Sequence, residues 1–358
     1  MYEQEFQGDI FYMMLYAVVA ALNLVACCYL LFRRGNAFAP GITSPVRLRR
    51  WTAVFFAAMT LSHLWYMPSI YLTSSEDKML CYDIGEILDC MTTFPLAIVI
   101  LLTMLQDRRR PLWLAWLMVA PSVVLSILNL THSETLLLMF HAYLLLLGIG
   151  LTIYMIREVR RYGCWLRDNY ADLEHKEIWQ SFVVLSVILL GFGVYAFEIG
   201  GFTNKYIVQV NNIILICYLL WRVETLSDLS TSIQTDTVIA TPQTFSSNIG
   251  SLLKRYCEEP KLYLQHDISA IQLAKTIGTN RLYLSKYFTS QGITYNAYIN
   301  DLRIRHFINL YHEAVAVDRS VTVQQLANQS GFRSYSTFNA AFKQSMGMTA
   351  TEWMSSEL

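Results

Sequence analysis

Arg281, Leu282, Ser285 and Lys286 follow one another at spacings of one, three and one residues, so a helix sets them on one face. A second group, Arg333, Tyr335, Ser336, Thr337 and Lys343, comes later in the chain. Guanidinium and ammonium groups take phosphate or the guanine edge, and hydroxyls hydrogen-bond base edges. That is the chemistry of binding rather than of bond-making. A third group, His63, Tyr66, His141, Tyr195, Glu198, Gln209, Asn211 and Asn212, interrupts otherwise apolar stretches. Polar groups there line a pocket for a small-molecule ligand or join helices by hydrogen bonds. The chain has no Cys-x-x-Cys pair, no His-Glu-x-x-His and no nucleophile beside a base. The expectation is no metal, no cofactor and no enzyme.

The elements that must position the first two groups form an internal repeat. Residues 268–298 and 321–353 align through Leu273-Ala274 with Leu326-Ala327, Gly278 with Gly331, Phe288 with Phe342, Gly292 with Gly347, and Tyr298 with Trp353. Each unit reads helix, turn, helix. Ser269-x-x-Gln272 and Thr322-x-x-Gln325 are capping boxes that start the first helix. Gly278 and Gly331 end it, and Asn280 and Ser334 cap the next. Leu284 with Phe288, and Phe338 with Phe342, are four apart and face a core. Between the units, Thr294 to Tyr311 reads as one helix of about 27 Å. That length suits two recognition helices entering successive major grooves.

The rest of the chain is different in kind. Of 358 residues, 54% are apolar and 15% charged, with 27 basic and 27 acidic side chains. An ordinary soluble domain carries roughly 25% charged residues. Apolar stretches at 11–32, 51–72, 88–106, 111–130, 135–156, 180–200 and 205–222 approach the roughly 20 residues needed to span hydrocarbon. Pro68, Pro95 and Pro121 mark candidate kinks. Thirteen basic residues, among them Arg33, Arg49, Arg110 and Lys176, fall in the loops of one side, against Lys78 and Lys205 on the other. This asymmetry predicts an external N-terminus and a cytoplasmic C-terminus. Glu3, Glu5 and Asp9 stand where a signal peptide would be basic, so the first stretch reads as an anchor. Cys81 and Cys90 fall in or beside the longest outer loop, either as a disulfide or as two thiols. The cytoplasmic stretch 157–180 places Asp172 and Lys176 four apart. That spacing suits a helix extending the sixth span, which either faces the C-terminal domain or is simply solvated.

The segment 245–358 resembles the DNA-binding domain of AraC/XylS-family transcription regulators. The matching residues are Leu273-Ala274, Leu284, Phe288, Gly292, Tyr298 and Arg303, then Leu326-Ala327, Gly331-Phe332, Ser334, Phe338, Phe342-Lys343 and Gly347-Met348-Thr349. The resemblance implies two helix-turn-helix units on a linker helix, promoter DNA as partner and contact with RNA polymerase. It departs at Phe307, where a small residue is usual, at Ala350, where proline is usual, and at Ala340, where a basic residue is frequent. The last departure shifts the second unit toward phosphate contact through Arg333 and Lys343.

The expected architecture is all-α. A seven-helix transmembrane bundle (1–222) and a polar linker (223–244) precede a cytoplasmic double helix-turn-helix domain (245–358). The expected function is a membrane-bound, sequence-specific DNA-binding transcription regulator of a bacterial inner membrane. It couples an extracytoplasmic or membrane signal to promoter binding, and homodimerisation through the Leu-bearing stretch after the last span is one option. The rivals are a membrane anchor with no sensing role, and a transporter or receptor with a regulatory tail.

Overall fold

The computed structural model describes residues 10–33, 35–131, 134–196, 204–229 and 249–357. All described elements are helical; the one β-type pairing is an isolated bridge between Tyr170 and Ser269. The chain divides into two compact units. The first comprises residues 1–160 and 178–230, and the second comprises 161–177 and 231–358. The loop 161–177 thus belongs with the C-terminal unit, although it lies between apolar stretches in sequence.

The first unit contains α1 (Ile10–Phe32), α2 (Val46–Tyr66), α3 (Pro68–Tyr71), α4 (Ser75–Met91), α5 (Thr93–Met104) and α6 (Trp113–Asn129). It continues with most of α7 (Glu134–Asn169), then α8 (Trp179–Ala196) and α9 (Asn204–Thr225). Helix α1 packs along α2, α2 on α5, α4 on α6, and α9 on α1 and α8. Four segments are long and apolar enough to cross a membrane by length and composition: Ile10–Phe32, Ser75–Met104, Glu134–Arg167 and Lys205–Thr225. Trp113–Asn129 is apolar but shorter. Helix α2 carries Arg47, Arg49 and Arg50 in its first turns, which dilutes its apolar character. Pro68 opens α3 where α2 breaks, Pro95 sits just inside α5 after a break at Thr92, and Pro121 is accommodated within α6.

The structure has the thiol alternative at Cys81 and Cys90, and it corrects the helix expected through Asp172 and Lys176. Cys81 and Cys90 are both free thiols on one helix, α4. Nine residues of helix rise place them about 13 Å apart, beyond disulfide reach. The Cys81 thiol instead points to the Trp65 carbonyl, and Cys90 lies 4.0 Å from Ser126 Oγ. Nor does a helix through Asp172 and Lys176 extend the sixth apolar stretch. Helix α7 runs on from the fifth stretch and ends at Asn169; Asp172 then turns the chain by accepting from the Glu174 N–H at 3.0 Å.

Several basic side chains of this unit meet carboxylates. Arg110 binds Asp107 at 2.8 Å and Glu158 at 2.6 Å, and Arg108 reaches Glu158 at 2.7 Å. Arg49 lies 3.3 Å from the buried Glu224. After α9, Leu226 and Leu229 are buried, and the chain is tied by Asp228 N–H to the Thr43 carbonyl and Leu229 N–H to Gln106 Oε1. Residues 230–248, most of the polar linker, lie outside the described residues.

The second unit holds α10 (Ile249–Leu253), a π-helical turn Lys254–Glu258, a 3-10 turn Leu262–Leu264, α11 (Ala270–Thr276) and α12 (Arg281–Ser290). The linker helix α13 (Tyr295–Ala316), then α14 (Val323–Gln329), α15 (Tyr335–Met346) and α16 (Ala350–Ser356) complete it. The linker helix is longer than the sequence suggests, 22 residues or about 33 Å. It serves two cores. Its first half packs Tyr295 and Ile299 with Leu273, Leu284 and Phe288, and Ala171 joins this cluster fully buried. Its second half packs Ile304, Phe307 and Tyr311 with Phe338, Phe342 and Trp353. Phe307 is fully buried, its ring 4.7 Å from that of Phe338 and 5.5 Å from that of Phe342. Its bulk fills a space formed by large neighbours.

Arg303 binds the two halves together. Its guanidinium is buried and donates to the carbonyls of Tyr263 (2.8 Å), Gln265 (2.7 Å) and His266 (3.3 Å). It also lies 5.5 Å from the ring centroid of Phe332 in the second half. Gly331 has a φ of 92°, and a Cβ there would meet the Leu264 backbone at 2.8 Å. The turn before α11 and the turn after α14 therefore touch backbone to backbone.

Candidate nucleic-acid interface

Each recognition helix is aimed by a cap. Ser269 accepts from the Gln272 N–H while Gln272 Oε1 accepts from the Ser269 N–H, and Thr322 and Gln325 do the same for α14. After the first helix-turn, Asn280 Oδ1 accepts from the Tyr283 N–H at 2.9 Å and starts α12. Ser334 Oγ accepts from the Thr337 N–H at 3.3 Å and starts α15. A third capping box, Thr349 with Glu352, starts α16. Ala350 there occupies the first helical position, where proline is tolerated but not required.

Burial then divides each helix into faces. On α12, Leu284 and Phe288 turn inward. Leu282 is 61% exposed and Lys286 is exposed, while Arg281 and Ser285 are half-buried beside them. On α15, Phe338, Ala341 and Phe342 turn inward. Tyr335, Ser336 and Lys343 are exposed, as is Arg333 just ahead of the helix. Thr337 is half-buried, and its hydroxyl lies 3.0 Å from Ser334 Oγ, as does that of Ser336. These two hydroxyls are engaged at the cap, so Tyr335, Arg333 and Lys343 are the outward groups of the second helix. Ala340 is exposed and adds no charge.

Arg303, one of the motif residues, is a core group and not a surface contact. Burial draws its guanidinium down to about 10. Arg305, exposed on the linker helix, pairs with Asp301 at 2.7 Å.

The sequence does not single out three groups near this face. Asp267 lies 3.4 Å from Arg333 and 3.6 Å from Lys176. Asp168 stands close enough to Arg281 to feel its charge, and burial raises its carboxyl against that pull. Asn296 reaches from the linker helix to the backbone of Tyr170 and Ala171. None has a local signal, because each partner is far away in sequence.

The membrane-type unit brings some of its expected polar residues together. His63 is buried; its Nδ1 lies 2.8 Å from the Met59 carbonyl and its Nε2 3.2 Å from Gln209 Oε1. Tyr16 lies over the His63 ring and donates to the His63 carbonyl. Tyr66 donates to Asp89 Oδ2 at 3.0 Å, joined by Ser62 at 3.1 Å, while Thr93 donates to Oδ1. Glu86 accepts from Ser126 at 2.8 Å and lies within charge range of His141. Asn212 is buried and Asn211 half-buried on α9. The side chain of Tyr195 and the whole of Glu198 fall outside the described residues. Asp83, Glu86 and Asp89, each three apart on α4, are the signal that sequence reading passed over.

A family model described as a helix-turn-helix domain matches residues 273–356. The TCP pilus virulence regulatory protein of Vibrio cholerae is 34% identical over 76 residues, covering 21% of this chain and 26% of that protein. An uncharacterized HTH-type transcriptional regulator of Staphylococcus aureus is 30% identical over 107 residues, covering 28% of this chain and 14% of that one. The chain thus spans about a quarter or less of the length of these relatives. No solved structure matches. Residues 273–356 are thus similar to a helix-turn-helix domain, and both of these relatives are regulators by name.

Proposed function

We propose that this chain is a membrane-bound transcription regulator that binds promoter DNA through both recognition helices. One observation carries the reading. Two capped helices, each with a polar outer face, share a chain with four helices of membrane-crossing length and composition. Helix α12 contributes Arg281, Leu282, Ser285 and Lys286. Helix α15 contributes Tyr335 and Lys343, with Arg333 ahead of it, and Ser336 and Thr337 approach bases only by leaving their cap. Seven spans, an external N-terminus and a cytoplasmic C-terminal domain complete the proposal, with RNA polymerase as protein partner and a homodimer as the assembled form.

Signalling in this reading is a population shift. A ligand or membrane state that binds one arrangement of the helices more tightly changes the placement of the DNA-binding domain. The anchor reading gains support from the pairing of His63 with Gln209 and of Tyr66 with Asp89, which leaves these groups engaged within the helices. His63→Ala and His141→Ala separate the two. A sensor loses its response while still inserting, whereas an anchor regulates as before.

The central test is selection of genomic duplex fragments by the full-length chain in nanodiscs. Enrichment of a discrete sequence is expected. Recovery of fragments without sequence preference, or none at low salt, defeats the reading.

A further inference from the structure

The stretch 161–177 connects α7 to α8, and both helices continue into the first unit, yet the stretch itself is part of the second. A loop that only joined two helices would run over the surface with its backbone solvated. This one is packed in: Tyr170, Ala171, Asp172 and Lys176 are all buried. The Ala171 side chain lies in the cluster formed by Leu273, Leu284, Phe288 and Tyr295. Its N–H donates to the Ile268 carbonyl at 3.4 Å, and Tyr170 forms the antiparallel bridge with Ser269. The carbonyls of Tyr170 and Ala171, just past the end of α7, both accept from the Asn296 amide on the linker helix, at 3.2 and 2.6 Å. Lys176 reaches Asp267 at 3.6 Å and stands 5.5 Å from the Tyr170 ring centroid. The Tyr162 hydroxyl donates to the Lys176 carbonyl at 3.3 Å, which folds the stretch back onto the end of α7.

Four kinds of contact thus converge on one short segment: a core side chain, a backbone bridge, an amide held by two carbonyls, and an ion pair. The receiving surface comes from residues 267–269 and 296 together with the core beneath them. Without the segment, the Asn296 amide would lose both acceptors and the core of the first helix-turn-helix half would open to water. The segment is also anchored elsewhere. Helix α7 is continuous from Glu134 to Asn169, and most of it has membrane-crossing length and composition. The other covalent passage between the two units is the stretch after residue 230.

We propose that Arg161–Glu177 is a docking segment that completes the core of the first helix-turn-helix half and holds the C-terminal domain to the apolar helices independently of the 230–248 connection. The domain is then discontinuous in sequence, whole only with residues that lie between two apolar helices. A turn or shift of the α7 end is delivered at Ser269, the cap of α11, and not through residues 230–248. That use of the segment rests on the signalling reading above; the fastening does not.

The test uses the full-length chain in nanodiscs of net-neutral lipid, without DNA, with a site for a sequence-specific protease placed within 231–247. After cleavage, gel filtration reads how much of the C-terminal fragment stays with the nanodiscs. The wild-type fragment is expected to stay. Ala171→Asp puts a charge into the core and is expected to release most of it. Asn296→Ala leaves the core side chains in place and removes the donor to two carbonyls. It is expected to weaken retention about tenfold, read from the fraction released on serial dilution. Glu313→Gln, at an exposed position of the linker helix, leaves retention unchanged. The docking segment is overturned if the wild-type fragment leaves on cleavage, if empty nanodiscs capture the fragment equally well, or if Asn296→Ala is retained like the wild type. Because no DNA is present, these outcomes leave the DNA-binding reading untouched, and failure of the genomic selection leaves the docking segment untouched.

Discussion

The two helix-turn-helix halves share a scaffold but not their surroundings. Both begin with a Ser or Thr capping box, turn at a glycine with positive φ, and bury an apolar pair four apart on the recognition helix. The first half receives a segment from another part of the chain, with Ala171 in its core and Asp168 near its leading arginine. The second half fills its core from its own residues and the linker helix, and its leading Arg333 meets Asp267 from the turn before α11. Similar local sequence thus builds two helices of similar presentation, while tertiary partners give each half a different setting.

The sharpest way to break the comparison is to remove what the halves share. Arg303→Met is expected to leave three inward-facing carbonyls without their donor, at a cost of about 3 kcal/mol or more, with both halves melting together. Arg303→Lys should rescue little, since one ammonium cannot span the fork. Thermal denaturation of the full chain, followed by tryptophan fluorescence, checks both. If Arg303→Met loosened the first half alone, Arg303 would not be the shared fastening.

A smaller effect separates the halves. Gly331→Ala is expected to cost about 2–3 kcal/mol, because it combines a strained φ with a Cβ 2.8 Å from the Leu264 backbone. Gly278→Ala, with a φ of 75° and open space around it, should cost only about 1 kcal/mol. Equal losses in chemical denaturation would mean that the backbone contact at Gly331 carries no energy.

Smaller still are the caps. Ser269→Ala and Thr322→Ala should each cost about 1 kcal/mol. Ser269 also borders the bridge to Tyr170, so its loss should additionally expose 161–177 to hydrogen exchange, whereas loss of Thr322 should not.

The smallest effect is at the C-terminal capping box. Hydrogen bonds from Thr349 hold the Glu352 carboxyl below its usual value. Its contribution is therefore fully present above the ordinary carboxylate range and lost as pH falls through the lowered value. Glu352→Gln should flatten that acid limb. A carboxyl titration of Glu352 at its ordinary value, read by NMR, would show that the box does not persist in solution.

Much of the DNA-binding unit was legible because its signals are local. A cap and its partner lie three residues apart, a core pair four, and the glycine turns sit between them, so Ser269, Asn280, Ser334, Leu284 and Phe338 could be assigned without a fold. The linker helix was read short although the run Tyr311 to Ala316 carries no breaker; it ends only at Val317, ahead of Asp318, where φ turns positive. Asp168, Asp267 and Asn296 were invisible for the opposite reason: their partners lie 113, 66 and 126 residues away. Asp172 and Lys176 had helical spacing, yet Lys176 found Asp267 instead, and tertiary pairing overrode the local pattern. In the apolar unit, hydropathy located the helices. It was blind to which polar groups meet, so Tyr66 was named while its partner Asp89 on α4 was passed over as the start of a span.

The seating of Arg303 between the turn before α11 and Phe332 has a consequence for the DNA as well as for the protein. A guanidinium that fastens both halves to a single continuous helix turns the domain into a ruler. The two recognition helices cannot be slid apart to suit a site; the site must suit them. A duplex lengthened by about five base pairs between the two contacted grooves would turn the second groove to the far side. The chain should reject such a duplex even with every contacted base intact, and accept it again when a full turn has been inserted only by giving up one of its two grips.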